Sequence, residues 1–307
     1  MNVTEISAKE YAELFPNPPH VFNSVAFTEL NRHKCDVVHY LIFSDTKLRG
    51  GLIVGQRGDC FSAPFSAPYG GFTLTRRQPV ETLDAMTSAL KEHFGPEKRI
   101  VVTLPPLWHD PDSLSKSVSA MSRTEGAKCL IDLSYHLDLI PDSGMSADSM
   151  SVTGRQNLRR SLNAPFEFIH TDGSPHAIEE AYGIIRRNHE ENGYQLRMSL
   201  DDVETTAKVV PADFFLLRLN GATVAAAQVY TVAPGVAQLI NWGDIREASR
   251  LCPMNRMAYE LAAHYSRRGI KTFDLGPATE DGIPNEGLCR FKESLGCVPS
   301  LKYRFTI

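Results

Sequence analysis

The sequence predicts a mixed α/β protein of two domains, each a mostly antiparallel sheet flanked by helices. Three observations carry this. A chain of 307 residues with 42% hydrophobic content can bury two separate cores. Short alternating runs joined by tight turns recur in both halves, as antiparallel meanders require. Between them lie apolar stripes at helical spacing. Residues 141–151 are small, polar and short of apolar anchors, so the boundary is placed there, giving domains 1–145 and 146–307.

In the first half, residues 10–15 make at most a turn or short helix before Pro16, Pro18 and Pro19. Asn23 or Ser24 caps a helix through Arg32, with Phe27 and Leu30 on one side. Residues 36–43 and 48–56 read as strands about a tight turn, and 59–62 as a third. Residues 63–72 form a loop carrying Tyr69 and the pair Gly70-Gly71, which permits positive φ or close backbone approach. Tyr69 and Gly70 are therefore candidate substrate contacts, against the alternative of a crossing loop stapled by aromatics. Leu83, Met86, Leu90 and Phe94 mark a helix face stopped by Gly95-Pro96. Residues 100–104 read as a buried strand, 113–125 as a polar helix and 128–139 as a long alternating strand.

The second half opens with Thr153 and Gln156 at capping-box spacing, starting a helix over 154–162. Arg155 and Arg159 share a face of it at i and i+4, and Arg160 follows. These guanidinium forks can clamp a phosphate or carboxylate, or form a solvated basic face. A strand over 166–170 and helices over 178–191 and 200–209 lead to a hairpin about Asn220-Gly221, the strongest hairpin signal in the chain. The meander continues to Trp242, a candidate substrate contact at its end. After a loop over 243–253, Met254, Met257, Ala258, Leu261, Ala262 and Tyr265 form a helical stripe. Residues 300–307 close the chain as a strand.

The most informative stretch is T-F-D-L-G-P-A-T-E-D-G-I-P-N-E-G-L-C-R-F-K-E-S-L-G, residues 272–296. It reads as a strand ending at Asp274 or Leu275, a loop, and a helix capped by Asn285 with Glu286 in its first turn and Gly296 at its close. Leu288, Phe291 and Leu295 form the core-facing stripe, and Lys292 falls inside it. A lysine there either snorkels to water or meets an anion in a pocket that the helix walls. Lys292 is the candidate catalytic cation, with Asp274 or Glu286 as candidates to orient or deprotonate an amine.

Composition narrows the partners. The formal charge of −4 gives no overall basic excess for nucleic acid. Six scattered cysteines without C-x-x-C, and ten dispersed histidines without a ligand pattern, predict free thiols and no metal site. The N-terminus lacks the pattern of a signal peptide and no run reaches membrane-span length, so a cytoplasmic location is expected.

The predicted order of the second half (two helices, three-strand meander, helix, strand, helix, strand) matches the GNAT acyltransferase superfold. N-L-R-R-S (157–161), the helix from Met254 ending in Arg267-Arg268-Gly269, then F-D-L-G-P and L-C-R-F-K-E-S-L-G resemble the FemAB-like family. That family comprises tandem GNAT-like domains and includes peptidoglycan aminoacyltransferases and many acetyltransferases. The resemblance covers about residues 154–307 by motif and the first half by architecture alone. It implies that Lys292, the lysine of F-K-x-x-x-G, stabilises negative charge at the acyl-transfer centre, and that Arg159 or Arg160 holds substrate phosphate.

Two departures stand out. Where GNAT enzymes carry [RQ]-x-x-G-x-[GA] to cradle the pyrophosphate of coenzyme A, this chain has R-L-C-P-M-N, Arg250 to Asn255. Pro253 offers no N–H there, leaving Arg250, Met254 and Asn255 as candidate cofactor contacts without the usual cradle. The tyrosine that protonates the leaving thiolate in many such enzymes is also missing from the last helix. Three readings follow: an N-acyltransferase using a thioester such as acyl-CoA; an aminoacyl-tRNA-dependent transferase acting on a peptidoglycan precursor; and a non-catalytic GNAT-fold binding protein.

Overall fold

The computed structural model describes residues 1–307. It divides into two compact units, one of residues 1–133, 281–283 and 300–307, the other of 134–280 and 284–299.

The first repeat of the chain runs β1 (Asn2–Ile6), α1 (Ala8–Leu14), α2 (Val25–Leu30), β2 (Val37–Ser44), β3 (Leu48–Arg57), β4 (Cys60–Ala63), the two-residue β5 (Thr73–Leu74), α3 (Val80–Phe94), β6 (Arg99–Thr103), α4 (Pro111–Ser122) and β7 (Lys128–Asp138). The second runs α5 (Val152–Leu162), β8 (Phe166–His170), α6 (Pro175–Asn192), α7 (Leu200–Ala207), β9 (Ala212–Leu219), β10 (Ala222–Ala233), β11 (Val236–Asp244), α8 (Pro253–Arg267), β12 (Thr272–Pro277), the short β13 (Thr279–Glu280) and β14 (Ile283–Pro284), α9 (Glu286–Ser294) and β15 (Val298–Thr306). Apart from α5 and the two-residue strands, the repeats agree element for element: strand, two helices, three-strand meander, helix, strand, helix, strand.

Each unit contains one parallel step in an otherwise antiparallel sheet. In the first, β4 pairs β6 in parallel across the α3 crossover; in the second, β11 pairs β12 in parallel across α8. A parallel pair needs such a crossover, whereas the meander strands need only turns. The closing strands are exchanged: β15 pairs β6 in the first unit, and β7 pairs β12 in the second. Residues 134–138 of β7 accordingly fall in the second unit and 300–306 of β15 in the first. Composition marks where a linker is polar, but the partner of a strand is set by register, which lies outside local sequence.

Local chemistry explains most element ends. Ser24 caps α2 by accepting from the Phe27 amide, and Asp110 caps α4 ahead of Pro111. Asn220 and Gly221 both take positive φ, 51° and 82°, the geometry a two-residue hairpin loop demands. The capping box expected from Thr153 and Gln156 is not formed. Ser151 caps α5 instead, accepting from the Gly154 amide, which places Thr153 inside the helix. The loop expected at 243–253 is shorter, because β11 continues to Asp244 and a 3₁₀ helix spans Arg246–Leu251.

The core of the first unit gathers Leu41 and Phe43 of β2, Leu83 and Leu90 of α3, Val102 of β6 and Phe305 of β15. In the second unit Ile178, Ala181 and Ile185 of α6 pack on Phe214 and Leu216 of β9 and Ala226 of β10. Each buried isoleucine contributes about 1.5–3 kcal/mol of transfer free energy. The predicted stripe of α8 is buried from Met257 to Tyr265, while Met254 at its start is only partly covered.

Candidate acyl-transfer site

The parallel pairing of β11 with β12 covers only Val236↔Thr272, Ala237↔Phe273 and Gln238↔Asp274. Both strands continue, to Asp244 and Pro277, without pairing further, so they fork after Gln238 and Asp274. Two irregularities flank the fork. On β11, Val229 faces Leu239 and Gln228 faces Asn241, so Ile240 is an extra residue bulged out of the β10 ladder. On β12 the register against β7 slips between Asp274, opposite His136, and Gly276, opposite Tyr135. The crevice beyond the carboxyl ends of parallel strands, at the point where the chain crosses over, is where open α/β sheets bind ligands. This fork is such a place.

Helix α9 lies across it. Phe291 packs against Trp242 on β11, with ring centroids 5.8 Å apart. Lys292 reaches the other arm: its Nζ donates to the carbonyls of Leu275 at 2.8 Å, Gly276 at 2.9 Å and Pro277 at 2.9 Å. Consecutive carbonyls of a regular strand point to alternate sides and could not converge on one ammonium. Gly276 at φ 74° supplies the irregular turn, a conformation that a side chain disfavours.

The lysine expected inside an apolar stripe is thus as buried as Leu295 and more so than its other two companions: 2% exposed, against partial exposure for Leu288 and Phe291. It neither snorkels nor faces an open pocket, since all three of its N–H groups are taken by backbone. Burial pushes its pKa down to about 8, opposed by the negative charge of Asp274. Its ammonium stands 5.8 Å over the Tyr135 ring, whose hydroxyl donates to Glu293 Oε1 at 3.0 Å. Burial, with Cys289 and Glu293 nearby, raises the Tyr135 pKa and keeps the phenol protonated. Burial likewise pushes the Cys297 thiol up to about 12.

Asp274 is fully buried, and both carboxylate oxygens accept hydrogen bonds: Oδ2 from Gln238 Nε2 at 2.8 Å and Oδ1 from the Gly276 amide at 2.8 Å. It closes the base of the fork by joining the last paired residues of the two arms. Gln238 itself is 4% exposed, and its Oε1 has no hydrogen-bond partner. Glu286 stands apart at the exposed start of α9, in a surface ion pair with Arg290 at 3.0 Å.

The predicted arginines separate. Arg155 turns back to donate to the Met150 carbonyl at 2.6 Å and so holds the polar linker. Arg160 reaches the start of α8, with Nη1 3.9 Å from Cys252 Sγ, which brings it to the segment carrying Arg250, Met254 and Asn255. Arg159, Arg160 and Arg250 are exposed. Cys252 precedes α8 with a left-handed φ of 55° and provides no side-chain cap. The amides of Asn255 and Arg256 both return to the Cys252 carbonyl, at 3.1 and 3.3 Å. Pro253 itself offers no N–H at this helix start. Asn255 is 5% exposed, and its Nδ2 lacks a partner.

In the first unit, Tyr69 is buried in a ring cluster with Phe22 and His20, at centroid distances of 5.1 and 4.9 Å, and lines no cleft. Gly70 does line one, donating its amide to the Thr103 carbonyl at 2.8 Å. Its Cβ position would stand 3.0 Å from the Pro64 ring.

Gln238, Tyr135 and Glu293 were not singled out from sequence. A signal existed for Gln238, an amide inside the apolar run V-A-Q-L-I, as out of pattern as Lys292. His170, Asp213 and His264 also bring three ligand-type atoms within 4.8 Å of one another. Asp213 already accepts from His170 and Tyr265, however, and Arg268 Nη1 stands 3.2 Å from His264 Nε2, so a guanidinium occupies the cation's place.

No protein-family model matches the sequence, and no curated protein matches it. Solved structures do. FemX superposes with a TM-score of 0.68 at 14% identity, covering 99% of this chain and 97% of that one. The chain has the tandem GNAT-like fold of FemX. L-PGS from Bacillus licheniformis matches with a TM-score of 0.60 at 12% identity, over 98% and 92% of the two chains. A tandem GNAT protein from the clavulanic acid biosynthesis pathway matches with 0.55 at 11%, over 99% and 97%. No helix is long and apolar enough to cross a membrane.

Proposed function

We propose that this GNAT-like protein transfers an acyl group from an activated donor to an amine, with the reacting carbonyl seated in the fork between β11 and β12. The observation that carries this reading is the fork itself. A parallel ladder stops at Gln238↔Asp274 while both strands run on, with a bulge on each arm. Bulges re-aim backbone groups beside active sites, and an open backbone edge offers N–H donors to a developing oxyanion. The amine nitrogen bonds to the acyl carbon, the bond from that carbon to the donor's heteroatom breaks, and the heteroatom leaves with the proton that the amine gives up. In this reading Lys292 supplies buried positive charge behind the β12 arm, whose carbonyls it holds, and Asp274 positions the two arms. Glu286, exposed at the start of α9 and paired with Arg290, is given no part in this reading.

The donor's phosphates meet side chains instead of a glycine loop. Arg159, Arg160 and Arg250 are exposed toward solvent, with Arg160 reaching the start of α8. Guanidinium groups bind phosphate without backbone help. The start of α8, where Pro253 has no N–H and the Asn255 amide is already bonded, supports a second donor, an aminoacyl-tRNA, over coenzyme A. The resemblance to FemAB-like transferases supports the same choice, with a peptidoglycan-type amine as acceptor.

Calorimetric titration with acetyl-CoA and filter binding of charged tRNA at increasing salt separate the two donors, the second showing a steep salt dependence. In either case the Arg159→Ala/Arg160→Ala/Arg250→Ala variant should weaken donor binding by about ten-fold or more. Absence of binding by both donors to the wild-type protein removes the transferase reading and leaves a GNAT-fold binding protein.

A further inference from the structure

A cleft of about 550 Å³ opens in the first unit, within the range of small-molecule sites. Every residue lining it belongs to that unit, and nothing in the acyl-transfer reading uses it. Its walls are mixed: Phe15, Phe72, Leu104 and Leu114 form an apolar part, and Asn17, Thr73, Ser113 and Ser117 stand among the polar ones.

His20 lies in the wall, 3% exposed, and neither ring nitrogen has a hydrogen bond of acceptable geometry. The backbone of Gly70 is near enough to favour a protonated ring, but burial dominates and pushes the pKa down to about 3. The imidazole is neutral near pH 7, with one N–H to give and one lone pair to accept. Burying such a group unsatisfied costs about 1–3 kcal/mol, which a ligand bearing a polar group at that depth would recover.

At the rim stand Arg76 and Arg77, both exposed and neither ion-paired. Nearby cations differ: Arg49 is held by Asp45 at 2.8 Å and Lys116 by Asp112 at 2.9 Å. The one carboxylate in the lining, Asp110, caps α4 by accepting from the Ser113 amide. The lining therefore carries an excess of positive charge beside an apolar patch.

We propose that this cleft binds a small amphiphilic anion, whose apolar body fills the slot, whose inner polar group bonds to His20, and whose carboxylate or phosphate rests on Arg76 and Arg77. Two exposed cations outside any close ion pair, with Asp112 the carboxylate near Arg77, explain the charge requirement, and the neutral imidazole explains why the inner group is polar but uncharged. A fully charged inner group would find no opposite charge at His20.

The test is fluorescence titration with 8-anilinonaphthalene-1-sulfonate, a flat apolar body bearing one anion, followed by displacement with phenylacetate and with phenyl phosphate. Saturable binding should weaken by about ten-fold or more in Arg76→Ala/Arg77→Ala, which removes two charge-assisted contacts from an exposed rim. It should persist in Arg160→Ala, whose side chain lies in the second unit. Leu114→Trp, which fills the slot, should abolish it, and a thermal melt shows whether that variant folds. Whichever displacer acts at lower concentration identifies the anionic group. Absence of saturable binding, or binding unchanged in the double arginine variant, overturns the proposal.

Discussion

The Lys292 ammonium lies 2.9 Å from the Gly276 carbonyl and as close to the carbonyls on both sides of it, Leu275 and Pro277. The glycine's φ of 74° turns the strand so that the three acceptors converge, and the lysine is the donor that fits them. Neither half of this clasp has a purpose without the other. Lys292→Met leaves three carbonyls without their charged donor and should cost about 3 kcal/mol or more. Gly276→Ala meets no atom within 4 Å and should cost only the left-handed backbone penalty, about 1–2 kcal/mol. The double variant should cost less than the sum, because each change breaks the same clasp. Urea denaturation of the four proteins measures the coupling, and strict additivity would show that the two residues act separately.

The same burial makes stability depend on alkaline pH. The pKa of Lys292 is about 8 in the folded protein against 10.5 for the ordinary side chain. Below pH 8 the amine is charged in both states and its contribution is constant. Between pH 8 and about 10.5 the unfolded chain holds the proton that the folded one has released, so this group raises stability as pH rises. The full effect is about 3 kcal/mol. Buried tyrosines and Cys297 work in the opposite direction at high pH, so the readout is the difference between wild type and Lys292→Met. That difference should widen from pH 7.5 to 10. A constant gap would mean the lysine titrates normally.

Asp244, at the end of β11, is shifted the other way. Burial lifts its pKa to about 6, with Glu191 adding repulsion, and Asn188 is its hydrogen-bonding neighbour, at 3.4 Å from Oδ1. A raised carboxyl pKa means the folded state binds the extra proton between about pH 4 and 6. Its contribution is therefore largest below pH 4 and is lost as pH rises through 6. Asp244→Asn should raise stability at pH 7 by about 2 kcal/mol and leave it nearly unchanged at pH 4. Thermal melts at the two pH values decide it, and equal shifts at both would exclude titration as the cause.

Much of this architecture was legible locally. The Asn220-Gly221 hairpin, the α8 stripe and the Asn285 cap each follow from a few adjacent residues whose chemistry has one outcome. Lys292 was conspicuous because a charge interrupts an apolar face. Its partners were not, since they are carbonyls that every residue carries and that only the turn at Gly276 gathers. The exchange of closing strands between repeats was hidden for a related reason: β7 and β15 alternate as any strand does, and alternation names a face, not a neighbour. For Tyr69 the loop context left two readings open, and tertiary packing realises the crossing loop stapled by aromatics, with the ring buried against Phe22 and His20.

Two helix glycines should respond oppositely to the same substitution. Gly154, in the first turn of α5, would place a Cβ 2.0 Å from the Ser294 carbonyl oxygen at the end of α9. That oxygen belongs to backbone and also accepts from the Ser151 amide at 3.2 Å, so it cannot move without undoing the junction. Gly183, within α6, has no atom within 4 Å of its Cβ position. Alanine favours an exposed helix interior over glycine by about 1 kcal/mol. Gly183→Ala should therefore stabilise the protein by about 0.5–1 kcal/mol, while Gly154→Ala should destabilise it by about 1–3 kcal/mol as α5 is pushed from α9. Because α9 carries both Phe291 and Lys292 to the arms of the fork, Gly154→Ala should also lower donor binding, whereas Gly183→Ala should not. Chemical denaturation and donor titration on the two variants test this together. Equal and mild effects would mean that α5 does not hold α9 in place.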